Sequence, residues 1–125
     1  MNDTATAHDQ MLWYVFVTAL EGGVNYWSEC SEYHHSFDGG HGADDLHGFY
    51  AVIRDCEDEN DTVYRIDRDV VARGWELAAT EWADKIRWNC DGPPPLVAED
   101  TDWDHDAGDA DVIVQLGLFG KVVYG

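Results

Sequence analysis

Basic residues are scarce in this chain: 7 lysines and arginines stand against 26 aspartates and glutamates, a formal charge of −19 with a pI near 4.2. A field of that sign repels nucleic acid and anionic membrane, and it attracts cations and basic protein surfaces. Cysteine is limited to Cys30, Cys56 and Cys90, widely spaced and without a C-x-x-C pair. No basic, signal-like segment precedes them, so the expectation is a cytoplasmic chain with reduced thiols. Long apolar runs are missing as well, since the stretch from Met11 to Leu20 is too short to span a bilayer. There is no G-x-S-x-G elbow, no Walker loop and no dinucleotide fingerprint. Hydrolase and nucleotide-cradling chemistries therefore have no signature, no cofactor is called for, and a non-enzymatic role is expected.

What is present describes a folded chain. The 125 residues are 45% hydrophobic and include 6 Trp, 6 Tyr and 4 Phe, too aromatic for disorder and enough for one core, so a single domain over 1–125 is expected. Residues 10–21 read as a helix apolar almost all round, with Asp9 as N-cap and Gly22-Gly23 as its stop. Residues 24–35 fit a half-buried strand, and the glycine-rich stretch 36–48 fits a loop. The clearest β signal is a hairpin over about 49–66, in which runs 49–56 and 62–66 flank an acidic turn.

Asp67 then caps a long helix over 68–88, whose Val71, Trp75, Ala78, Trp82 and Ile86 share one face. Asn89 to Gly92 and then the three prolines at 93–95 are expected to end it. A last apolar helix spans 109–119, capped at Asp109 and stopped by Gly120, with 121–124 as a short extension. The predicted fold class is α+β: a small antiparallel sheet packed against about three helices, the last sealing the core.

Three blocks carry a resemblance: residues 18–27 (TALEGGVNYW), residues 65–78 with the Ala72-Arg73-Gly74 step, and the acidic lead into ADVIVQLGLFGKVVYG over 110–125. Together they resemble a group of small uncharacterised proteins carried by bacteriophages and prophages, especially those of actinobacteria. The resemblance covers most of the chain outside 36–48 and the prolines. It implies an accessory phage protein acting in the cytoplasm of a host bacterium, and it carries over no catalytic residue.

Charge and context together point to a protein that binds and inhibits a host or anti-phage defence protein, in the manner of a nucleic-acid mimic offering carboxylates to a basic surface. The residues expected to make that surface are Glu57, Asp58, Glu59 and Asp61 in the hairpin turn, with Asp100, Asp102, Asp104 and Asp106 before the last helix. Trp103, set among those aspartates, and Trp88 are candidate partner-facing aromatics, whereas Trp13, Trp27, Trp75 and Trp82 read as core.

The alternative is a protein that sequesters a nucleotide signal, with Arg65, Arg68 and Arg73 as anion contacts beside Tyr64 and Trp75. A metal-dependent enzyme is a third reading. Its ligands or base would come from His34, His35, His41 and His47 with Cys30, Asp38, Asp44 and Asp45, but their spacing matches no zinc motif. Aspartates at 100, 102, 104, 106 and 111 superficially follow a calcium loop, but His105 stands where that loop needs glycine, so no metal site is assigned.

Overall fold

A computed structural model describes residues 7–35, 49–90, 92–96 and 103–125. The elements follow as α1 (Ala7–Thr18), a π-helical turn (Ala19–Gly23), β1 (Ser28–His34), β2 (Tyr50–Asp55), β3 (Val63–Asp67), α2 (Arg68–Ala79) and α3 (Ala107–Phe119). The fold is α+β, with three helices on one face of a three-stranded antiparallel sheet of order β1-β2-β3. The expected hairpin is β2 and β3, paired from Tyr50↔Asp67 to Arg54↔Val63. The run 24–35 supplies the third strand, with a bulge between Cys30 and Glu32.

Alternation along the strands decides which side faces the helices. Ala51, Ile53 and Asp55 of β2 and Ile66 of β3 are buried, while Tyr50, Val52, Arg54 and Arg65 point the other way. The core joins Met11, Leu12, Val15 and Phe16 of α1 to Val71 and Trp75 of α2 and to Ile113, Val114 and Leu116 of α3. Phe16 packs on Phe49 and Tyr33, which ties α1 to the sheet.

α2 and α3 cross at a point made by two glycines. A Cβ on Gly74 would overlap the Ile113 carbonyl oxygen, and one on Gly117 would overlap the Val70 carbonyl oxygen, so the backbones touch directly. The Arg73 guanidinium then seals the crossing by donating to the Gly117 carbonyl at 2.9 Å.

Helix limits differ from expectation in ways the side chains explain. α2 ends at Ala79 instead of 88: the Thr80 hydroxyl turns back to the Glu76 carbonyl at 2.7 Å, and 80–85 continue as turns that return Trp82 to the core edge. The prolines therefore stop nothing. α1 starts at Ala7, so Asp9 is a helical residue and not a cap; its carboxylate accepts from Arg68 Nε and Nη2 at 3.0 and 2.6 Å. α1 carries apolar residues almost all round, as expected, but it is not enclosed on every side, since Tyr14 lies exposed. α3 begins two residues earlier than 109, with Asp106 as its N-cap, and closes on Gly120 in the left-handed region at φ 73. No helix among the described residues is long and apolar enough to cross a membrane.

Candidate functional site

The acidic turn between β2 and β3 is held by its own carboxylates. Asp55 Oδ1 accepts from the Glu57 amide at 2.9 Å, and Asp58 accepts from the Asn60 amide at 3.2 Å and from the Thr62 hydroxyl. Asp61 sits in the left-handed region at φ 51, which aspartate tolerates better than most residues, and it accepts from Arg54 at 2.9 Å. Arg54 also reaches Glu29 of β1 at 3.0 Å, so one guanidinium pins the turn to the neighbouring strand. The Thr62 hydroxyl, followed by the Asn60 amide, holds the Asp58 carboxyl below its usual range. Glu57 and Glu59 are exposed and extend from this fixed loop.

The second predicted acidic group lies elsewhere and only partly at the surface. Asp104 is exposed, while Asp100 and Asp102 lie outside the described residues. Asp106 is half-buried and works as a cap: its Oδ1 accepts from the Asp109 amide at 2.9 Å and from Asn89 Nδ2 at 3.2 Å. The Asp109 amide, and then Asn89, depress the Asp106 pKa. Asp109, expected to be the cap, is the buried third residue of a capping box, accepting from the amides of Asn89, Cys90 and Asp106. Trp103 does not face a partner. It is 5% exposed, edge-on to Trp75 and Trp88 and stacked on His105, and its indole donates to the Gly92 carbonyl at 3.1 Å. Polar neighbours in sequence hid a residue whose ring Trp75, Trp88 and His105 enclose. Trp88 is likewise half-buried, packed against the core.

The three arginines do not converge. Arg65 and Arg68, with Asp67 and Asp69, line a shallow cleft of about 220 Å³. Arg73 lies at the α2/α3 crossing, and Arg68 is committed to Asp9. Arg65 covers the Tyr50 ring at 4.0 Å, on which His34 also stacks. Two carboxylates in the cleft wall offset the guanidiniums, which weakens it as an anion seat.

Of the proposed metal ligands, Asp38, His41, Asp44, Asp45 and His47 lie outside the described residues; His34 and His35 are exposed on and just after β1. Cys90, Asp106 and Asp109 do place a thiol and two carboxylates within 4.8 Å, but the carboxylate oxygens already serve the backbone amides around the start of α3.

Sequence reasoning passed over a buried polar cluster. Asp111, set at the closing position of the supposed calcium loop, points inward. Its oxygens accept from Trp27 Nε1 at 2.9 Å and Tyr26 OH at 2.8 Å, and from Gln115 Nε2. Burial raises the Asp111 pKa, against the opposing effect of those donors; burial and the Asp111 bond together push Tyr26 up to about 12. The available signal was Asp111 and Gln115, four apart and the polar residues beyond the capping box of an apolar helix, a spacing that places them on one side. No protein-family model matches the chain, and no curated protein or solved structure matches it.

Proposed function

We propose that this chain is a non-enzymatic phage accessory protein that binds and blocks a host or anti-phage defence protein through its acidic surface. The observation that carries the reading is the turn at 57–61: Asp55 and Asp58 hold its backbone and Asp61 ties it to Arg54, so the backbone that presents Glu57 and Glu59 is ordered before binding. With a net charge of −19, the partner is a protein with a basic surface, and electrostatic steering speeds the encounter. The bacterial cytoplasm is where such a protein meets its target. Capture from host lysate at low salt should recover a partner that elutes at high salt, and Glu57→Gln with Glu59→Gln should weaken capture. Recovery of no salt-sensitive partner, or equal capture by the double variant, would overturn the reading.

A second reading, sequestration of a nucleotide signal, draws on the cleft lined by Arg65 and Arg68. Calorimetry against cyclic and linear nucleotides separates the two, since the acidic-surface reading expects no heat of binding.

A further inference from the structure

Residues 121–125 follow α3 without joining the sheet, and among the described residues no backbone-to-backbone hydrogen bond holds them beyond the Gly120 amide on Leu116. Side chains hold them instead. Gln115 is fully buried and reads the backbone on both sides: its Oε1 accepts from the amides of Val123 and Tyr124 at 2.8 Å each, and its Nε2 donates to the Tyr124 carbonyl at 2.9 Å. The Tyr26 hydroxyl, whose proton goes to Asp111, lies 3.1 Å from that carbonyl. The Tyr124 ring stacks on Trp27 at 5.1 Å, and its hydroxyl donates to Asp55 Oδ2 at 2.6 Å. Val122 and Tyr124 are half-buried while Lys121, Val123 and Gly125 are exposed, the two-residue alternation of an extended segment.

A side-chain amide that pairs with main-chain N–H and C=O, beside an aromatic platform and a carboxylate for a phenol, is the chemistry of a peptide-binding groove. We infer that the groove formed by Trp27, Asp55 and Gln115 is an exchangeable peptide site, filled in cis by residues 122–124, that accepts from a partner protein an extended segment with tyrosine two residues after an aliphatic one. The inference stands apart from the acidic-surface reading, because the contacts are hydrogen bonds and ring stacking instead of net charge.

The test uses the full chain with its own segment loosened by Val122→Gly and Tyr124→Gly, and a fluorescein-labelled Gly-Lys-Val-Val-Tyr-Gly peptide. Measurement in about 0.5 M salt screens charge-driven binding, so a negative result here leaves the acidic surface untouched. Fluorescence anisotropy should show saturable binding to the loosened chain and at least about tenfold weaker binding to the parent chain, whose groove is occupied. A peptide with Phe for Tyr should bind about tenfold or more weakly, because the bond to Asp55 is charge-assisted. Adding Gln115→Ala should remove binding. Tyr124→Ala alone serves as the milder variant if the double one does not fold. No binding by a folded variant, equal binding of the Tyr and Phe peptides, or failure of both variants to fold would overturn the inference.

Discussion

Single carboxylates in this molecule act with opposite signs on stability. Asp106 has its pKa lowered from 3.8 by the Asp109 amide. Its contribution is therefore present above the unfolded value and lost as pH falls through the lower folded one. Asp106→Ala should cost about 1 kcal/mol at neutral pH, the usual worth of an N-cap, and the gap from the parent should shrink below pH 3.8 in denaturant titrations. Asp111 runs the other way. Burial raises its pKa above 3.8, so its favourable contribution is fully present below that value and is lost as pH rises through the folded pKa. Asp111→Asn keeps an acceptor for Trp27 without a titrating group. Relative to that variant, the parent should be more stable at low pH than at pH 8; an unchanged difference across that range would show the carboxylate does not titrate differently on folding. Asp61 tests backbone geometry: at φ 51, Asp61→Val should cost about 1–2 kcal/mol because a β-branched residue resists the left-handed region, whereas Asp61→Asn should cost less.

At the level of elements, the α2/α3 crossing is the most demanding contact. Gly117→Ala would drive a methyl into the Val70 carbonyl, and the helices would have to separate, so a loss of about 3 kcal/mol or more is expected in thermal or chemical unfolding. Gly22→Ala, where the added carbon would meet only the Ala107 methyl at 3.6 Å, should be far milder. The elements themselves were legible in the sequence. Asp67 and the spacing of Val71, Trp75 and Ala78 announced α2, alternation announced the hairpin, and Gly120 announced the end of α3. Local signals could not place the stop of α2, because Thr80 competes for a carbonyl only in a geometry that the return of Trp82 completes. Nor could they show that Trp103 is enclosed by Trp75 and Trp88, or that Arg68 belongs to Asp9, since these pairings form only when distant elements meet. The candidate acidic turn was readable because it is local. The groove around Gln115 was not, because Tyr26, Trp27, Asp55 and Tyr124 come from three separate stretches.

Over the whole molecule, charge works against compactness. With −19 net, the exposed carboxylates repel one another, and screening relieves that repulsion in the folded state more than in the expanded one. The midpoint of thermal unfolding should rise between low salt and about 0.5 M sodium chloride; a flat response would show that Arg54, Arg68 and the other local pairs already neutralise the field. The glycine crossing has a further consequence that exchange of amide hydrogens would reveal. Backbones that touch leave no room for water to enter between α2 and α3 unless the helices part completely. The amides around Gly74, Ile113 and Gly117 should then exchange only through global opening and report the full unfolding free energy, while the side-chain-held amides of Val123 and Tyr124 exchange through a smaller, local release.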